Sequence, residues 1–364
     1  MEYRFLGRSG LRVSALGFGG LTLGGKGFWG AHGSTSESDA EKIVGMAVDA
    51  GVTLFDTADN YSLGESERIL GKALGKKRRD VVIATKVFQR MGEGPNDAGL
   101  SRGHIVESCE NSLRRLGVDY IDLYQSHGPD ALTPLDETLR AFDHLVQSGK
   151  VRYIGSCNHS GWQQMKALAT SSEFGLTRHV SQQVMYSLMC RDAERELVPL
   201  GLDQGVGMLV FSPLAAGLLS GKYRRDAPLP EGTRVTELGL SDYAPYAELE
   251  RLYQVVDVLD QLSAAHRATP AQIALAWVLK KPCVTSAIFG ARNEAQLRDN
   301  LQAADIDLSP GDVAALDAAS DTPAPYPYWH QRKYSAERNP TSPTYRPPMP
   351  GEQVGPPDGW SRAD

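Results

Sequence analysis

The stretch Gly51-Val52-Thr53-Leu54-Phe55-Asp56-Thr57-Ala58-Asp59-Asn60-Tyr61 decides how the rest of the chain is read. Val52–Phe55 is a short apolar run between a glycine turn and an acid. It reads as a buried strand that stops at Asp56 and gives way to a polar loop carrying Tyr61. Two later runs end in a similar way: Val81–Thr85 leads into Lys86, and Tyr120–Tyr124 leads through Gln125 and Ser126 into His127. In a barrel of parallel strands the reactive groups sit where strands terminate on the carboxyl side. Asp56, Tyr61, Lys86 and His127 are therefore expected to share one rim.

Working outward, strand and helix patterns alternate. Leu16–Gly20 reads as a first, glycine-rich strand, followed by a loop with Phe28, Trp29 and His32 and a helix over Ser36–Ala50, Ser36 and Asp39 giving a loose start signal. After the Asp56 strand comes a helix over Glu65–Leu74; after the Lys86 strand, a loop over Met91–Gly99 and a helix over Ser101–Leu116; after the His127 strand, a helix over Pro134–Ser148 with proline in its first turn. Val151–Gly155, Val180–Val184, Gly207–Phe211 and Thr285–Phe289 are the remaining strands, and Gly161–Thr170, Ala193–Leu202, Glu248–His266, Pro270–Lys281 and Glu294–Leu301 the remaining helices, the last regular one being Glu294–Leu301. A polar insertion, Gly221–Tyr243, interrupts the order after the seventh strand. Eight such β runs predict a closed (β/α)8 TIM barrel of the α/β class. An open dinucleotide-binding sheet fits less well, because Gly17-x-Gly19-Gly20 lacks the later glycine and opens no helix. Ahead of the barrel, Glu2–Leu6 and Leu11–Ser14 around Gly7–Gly10 predict a hairpin that plugs its bottom.

The ends and the bulk composition narrow the function classes. From Asp321 onward the chain is proline-rich; Tyr326, Tyr328 and Trp329 supply aromatic surface to pack across the barrel mouth, and residues 341–364 read as an extension beyond a single domain over 1–340. With 364 residues, 41% of them hydrophobic, there is material for a large core. A formal charge of -6 with scattered Lys and Arg predicts no nucleic-acid partner. No run approaches the roughly 18 apolar residues of a membrane span, and Met1–Leu6 has no signal-peptide core, so a cytoplasmic protein is expected, its oligomeric state open. Cys109, Cys157, Cys190 and Cys283 form no metal-binding or disulfide spacing.

Taken singly, each rim residue has an ordinary structural role: a cap, a loop anchor, a surface charge, a buried imidazole. Together they make a proton-transfer site. A phenol with its ordinary pKa near about 10 is a poor acid or base at neutral pH, and a nearby ammonium stabilises its phenolate. Lys86 would be that cation, Asp56 would orient it, and His127 would hydrogen-bond a substrate oxygen. The set suits protonation of a carbonyl oxygen as hydride reaches carbon, or the reverse. A Schiff-base role for Lys86 is the alternative, and it leaves Asp56 and Tyr61 idle.

These residues lie in motifs that resemble the aldo-keto reductases, in particular the bacterial members related to the potassium-channel β-subunits. The resemblance covers residues 2 to about 340 and rests on Leu6–Leu11, Phe55–Tyr61 with Gly64–Glu67, Ala84–Lys86, Asp119–His127 and Gly149–Gly155. It implies a (β/α) barrel that binds NADP(H), with Asp56, Tyr61, Lys86 and His127 as the catalytic tetrad and Tyr61 as general acid or base. Position by position, it implies cofactor contacts at Gly20, Leu21 and Asp56, and a carboxamide grip from Ser156, Cys157, Asn158 and Gln183. Phe211 would stack on the nicotinamide, Ser212, Pro213 and Leu214 with Gly217 through Lys222 would cross the pyrophosphate, and Gly290, Arg292, Gln296, Asp299 and Asn300 would hold the adenosine end.

Two positions depart from the family's pattern. Cys157 stands where a serine is usual, so either the carboxamide grip is looser or Ser156 supplies the hydroxyl. Gly290 and Gln296 stand where members strict for NADP(H) carry lysine and arginine, which leaves Arg292 as the 2′-phosphate partner and NAD(H) possible. Phe28, Trp29, Phe88 and Tyr186 are expected to line an apolar mouth for a small carbonyl or alcohol substrate. The competing expectation is a cofactor-binding regulatory or partner subunit.

Overall fold

The computed structural model describes residues 1–25, 33, 35–225, 227–231, 233, 235–236 and 248–334. Its strands are β1 (Tyr3–Phe5), β2 (Arg12–Ser14), β3 (Leu16–Gly19), β4 (Leu54–Asp56), β5 (Val82–Val87), β6 (Ile121–Ser126), β7 (Val151–Cys157), β8 (His179–Met185), β9 (Gly207–Phe211) and β10 (Val284–Phe289). β3 to β10 form a closed barrel in chain order, every pair parallel, with β10 returning to β3. The expected TIM barrel is the fold. Closure pairs every strand on both sides, so no sheet edge is left open.

β1 and β2 pair antiparallel, Tyr3 opposite Ser14, and seal the floor. Leu6 and Val13 are fully buried in a cluster with Leu54, Val82, Ala84, Leu123, Leu209 and Ile288, residues of the barrel interior. Each such side chain is worth about 1.5–3 kcal/mol of apolar burial. Gly7 is required where it stands. Its φ is +59°, and a Cβ would lie 2.5–2.6 Å from backbone atoms of Val180, Gly205 and Gly207.

The helices are α1 (Glu37–Asp49), α2 (Glu65–Leu74), α3 (Arg102–Leu116), α4 (Leu135–Gln147), α5 (Gly161–Glu173), α6 (Leu197–Gln204), α7 (Leu249–His266), α8 (Pro270–Lys280), α9 (Glu294–Leu301), α10 (Pro310–Ala319) and α11 (Tyr328–Tyr334). They pack outside the barrel over one continuous apolar core. Ser36 and Ser101 cap α1 and α3 from outside, accepting from Asp39 N–H and His104 N–H. Pro134 lies one residue before α4 rather than within it.

Three expectations are corrected. The helix expected over Ala193–Leu202 is a 3-10 turn, Asp192–Glu194, followed by α6. Pro199 is the reason: restarting at Leu197 places it in a first turn, where a missing N–H costs nothing. Glu294–Leu301 is not the last regular helix, because α10 follows it. Ser309 and Asp312 form a capping box with Pro310 at the first helical position, so its start was encoded, but only Leu316 is buried and no apolar stripe marked it. Within the proline-rich tail α11 forms as well, with Tyr326 74% and Trp329 46% exposed. The tail therefore does not bury its aromatics across the mouth. It docks at the side: Arg195 Nη2 donates to the Thr322 hydroxyl (3.0 Å) and the Pro323 carbonyl (3.2 Å), and Tyr328 OH donates to Glu196 at 2.7 Å. Most of the 221–243 insertion from residue 226 on and the 341–364 extension lie outside the described residues. No helix among those described is long and apolar enough to cross a membrane.

Candidate active site

Asp56 is the last residue of β4, Tyr61 opens the turn after it, and His127 follows β6 directly. Lys86 lies inside β5 rather than beyond its end, paired in register with Gln125. Strand alternation turns Lys86 into the barrel and Thr85 toward the helices. The ammonium is fully buried, and Nζ donates to Asp56 Oδ2 (2.6 Å), to the Thr57 carbonyl (2.6 Å) and to Tyr61 OH (3.4 Å). Tyr61 and His127 meet edge to face with ring centroids 5.6 Å apart. The four side chains are thus one cluster at the carboxyl ends of neighbouring strands.

Their electrostatics follow from burial and one cation. Burial alone would lower the Lys86 pKa, but the Asp56 carboxylate, with Tyr61 and Cys157, outweighs it and holds the ammonium above its ordinary value. For Tyr61, burial raises the phenol above its ordinary pKa despite the opposing Lys86 charge. The ammonium pulls the phenol down as expected, but burial outweighs it, and the hydroxyl keeps its proton at neutral pH. Burial and then the Lys86 charge push His127 down to about 3, so its imidazole is neutral. Its Nδ1 is buried and has no hydrogen-bond partner among the described residues.

Of the groups that hold this cluster, sequence reasoning named Gln183 only for the carboxamide and missed Gln125, Glu67 and Asp59. The second oxygen of Asp56 accepts from Gln183 Nε2 (2.7 Å) and stands 3.5 Å from Gln125 Nε2. A glutamine inside an apolar strand was the available signal for Gln125. Behind β5, the fully buried Glu67 accepts from Thr85 Oγ1 (2.5 Å) and Arg115 Nε (2.6 Å), joining α2, α3 and the lysine's strand. Asp59 is fully buried beside them, and burial with the nearby Glu67 charge holds its carboxyl well above the usual range.

The expected cofactor positions fall into three groups. Around the cluster, Cys157 faces inward toward Lys86 and Asp56, and burial raises its thiol pKa. Ser156 faces the other way, donating to Gln164 Oε1 at 2.7 Å, so it does not supply the missing hydroxyl. Asn158 sits in the left-handed region (φ +57°) and donates through Nδ2 to the His127 carbonyl at 2.9 Å. Gly20 and Leu21 form a 3-10 turn beside β4, where a Cβ on Gly20 would stand 3.2 Å from the Asp56 carbonyl.

On the far side of the mouth, Phe211 ends β9 and is followed by left-handed φ values at Ser212, Ala215, Ala216, Gly217 and Gly221. Pro213 is buried, Leu214 half-buried and Lys222 exposed. Past β10, Gly290 and Arg292 are exposed; the Arg292 N–H donates to Gln296 Oε1 (2.9 Å) and Asn300 Nδ2 to the Gly290 carbonyl (3.3 Å). Asp299 is engaged elsewhere, accepting from Gln272 Nε2 (2.8 Å) at the start of α8.

Of the expected substrate residues, Phe88 is half-buried against Gly128 beside His127. Tyr186 is corrected to a core residue. It is fully buried, stacked on Trp277 at 5.3 Å, and its hydroxyl donates to Glu194. Phe28 and Trp29 lie outside the described residues.

A family model described as the aldo/keto reductase family matches residues 15–321. The chain is 37% identical over 311 residues to a probable voltage-gated potassium channel subunit beta of Arabidopsis thaliana, covering 84% of this chain and 92% of that protein. It is 39% identical over 315 residues to a putative voltage-gated potassium channel subunit beta of Schizosaccharomyces pombe, covering 83% and 88%. It is 40% identical over 319 residues to the uncharacterized oxidoreductase YrpG of Bacillus subtilis, covering 85% and 92%. The chain belongs to the aldo/keto reductase family of oxidoreductases.

Proposed function

We propose that the protein is an NADP(H)-dependent oxidoreductase that interconverts a carbonyl and an alcohol, with Tyr61 as general acid or base. The observation that carries this reading is the buried Lys86 ammonium, shared between the Asp56 carboxylate (2.6 Å) and the Tyr61 hydroxyl (3.4 Å). Asp56 keeps the lysine charged, and the lysine offsets the phenolate that forms when Tyr61 gives up its proton. His127, kept neutral by burial and the Lys86 charge, would hold the carbonyl oxygen by a hydrogen bond. In alcohol oxidation the same groups act in reverse. A Schiff-base role for Lys86 requires a neutral amine, which the adjacent carboxylate opposes.

The surrounding residues fit a nicotinamide dinucleotide. Asn158, Gln183 and Cys157 would hold the carboxamide, and Phe211 would stack on the ring. The left-handed residues Ser212, Ala215, Ala216, Gly217 and Gly221 make this segment a succession of tight turns, the kind of backbone that can cradle a pyrophosphate. Gly217 has open space where a Cβ would be. Arg292, with Gln296 and Asn300, would take the 2′-phosphate end, while Asp299 is held by Gln272. When bound, the nicotinamide supplies or accepts the hydride at the carbonyl carbon.

The relatives described as channel subunits favour a second reading, a cofactor-binding partner subunit. NADPH oxidation by the purified protein with 4-nitrobenzaldehyde, run with NADH in parallel, separates the two. Turnover that Tyr61→Phe lowers by about 10²–10⁴-fold with NADPH binding retained supports the enzyme. Tight NADPH binding with no turnover on a panel of aldehydes and ketones supports the subunit.

A further inference from the structure

A cavity of about 410 Å³ lies beside the barrel mouth, between the start of α5 and the segment from Asp192 through Leu197, with Tyr328 of α11 as one wall. None of the tetrad lines it. Its volume is in the range of small-molecule sites, about 300–1,000 Å³. Val184, Met185, Cys190, Ala193 and Leu197 give it an apolar lining.

One polar group in the lining is both buried and incompletely used. His159 is 8% exposed, and its Nδ1 lies 2.9 Å from the Cys157 carbonyl. A carbonyl oxygen can only accept, so Nδ1 carries the ring proton and Nε2 presents a lone pair. Burial lowers the His159 pKa, and the ring packs edge to face on His179 at 6.3 Å, which fixes its plane. Among the described residues no donor reaches Nε2, and Nε2 is not among the buried atoms shut off without a partner, so it is open to a ligand in the cavity.

The charges around the cavity disfavour an anion. Asp192 and Glu196 both line it. Glu196 already sits at the N-terminus of α5: a Cβ on Gly161 would come 2.5 Å from its Oε2. Arg195, the one cation in the lining, spends Nη2 on Thr322 and Pro323 of the tail.

We propose that this cavity is a second binding site, for a neutral small molecule with an apolar body and a hydroxyl group that donates to His159 Nε2. Tyr328, held by Glu196 through its hydroxyl, closes the site from the tail side.

The test is binding to the full chain, so it does not depend on turnover. With ¹⁵N-histidine label, cyclohexanol is expected to shift the His159 Nε2 resonance saturably. Methylcyclohexane, of similar size but without the hydroxyl, should bind at least fivefold more weakly. His159→Leu, read at the resonance of the neighbouring His179, should weaken cyclohexanol at least tenfold. Ala193→Leu, which fills the cavity and leaves the histidine's hydrogen bond intact, should do the same, while Tyr61→Phe should leave binding unchanged. Equal binding of the two probes, or unchanged affinity in both His159→Leu and Ala193→Leu, overturns the proposal. Loss of binding in Tyr61→Phe would move the probe to the redox rim and overturn it as well, leaving the oxidoreductase reading untouched.

Discussion

A lysine with no solvent exposure needs its charge matched on the spot, and Asp56 does so at 2.6 Å. Lys86→Met should strand the Asp56 carboxylate in the barrel. The expected cost is about 3–5 kcal/mol of stability, read by urea denaturation, together with at least about a 10²-fold loss of turnover. Because the Tyr61 proton is held above its ordinary pKa, carbonyl reduction should not decline between about pH 7 and pH 9. A profile that halves across that interval would mean the acid ionises early and the Lys86 charge outweighs burial at Tyr61. Arg292→Ala should raise the KM for NADPH about tenfold and leave NADH unchanged; equal effects on both would remove the 2′-phosphate role. At this scale Asp56, Tyr61, Lys86 and His127 were legible, because each interrupts or ends an apolar run with a group that a core does not tolerate alone. Glu67 and Asp59 were not, and Gln125 showed only as an anomaly in its strand, since a lone polar residue within a strand or helix pattern does not say which way it faces.

At the scale of the element, the hairpin β1–β2 and the helices differ in how openly they announce themselves. Leu6 is wholly enclosed by side chains from five barrel strands and the hairpin, so Leu6→Ala should leave a cavity and cost about 2–5 kcal/mol by denaturant titration. A loss under about 1 kcal/mol would mean the floor repacks and the hairpin is dispensable. The strands and most helices could be placed from apolar period alone, and α2 runs over Glu65–Leu74 as expected. The break before α6 could have been read from Pro199. Helix α10 was hidden because its alanine-rich run offers caps without a stripe, and α11 because it buries none of its side chains.

For the whole molecule, burial of neutral imidazoles sets a pH dependence of stability. His127 and His179 are both pushed down to about 3, His179 by burial and then by His159, whereas in the unfolded chain each titrates near about 6.5. Between those values the unfolded chain binds protons that the folded chain refuses, so stability falls as pH falls. Each histidine contributes up to about 1.4 kcal/mol per pH unit. His179→Asn should flatten the stability slope between about pH 5 and 6 by roughly one proton's worth; an unaltered slope would mean His179 is protonated in the fold.

The order of strands, the closed barrel and the residue types at its rim were fixed by local composition, since a buried parallel strand must be apolar and must end where a polar group appears. What needed the folded chain was direction and distance. Strand alternation sends Cys157 inward and Ser156 outward, closure brings Gln183 across to Asp56, and the tail settles against Arg195 and Glu196 instead of over the mouth. The contacts of Gln183 and of the tail join residues more than a hundred positions apart, and no local pattern encodes them.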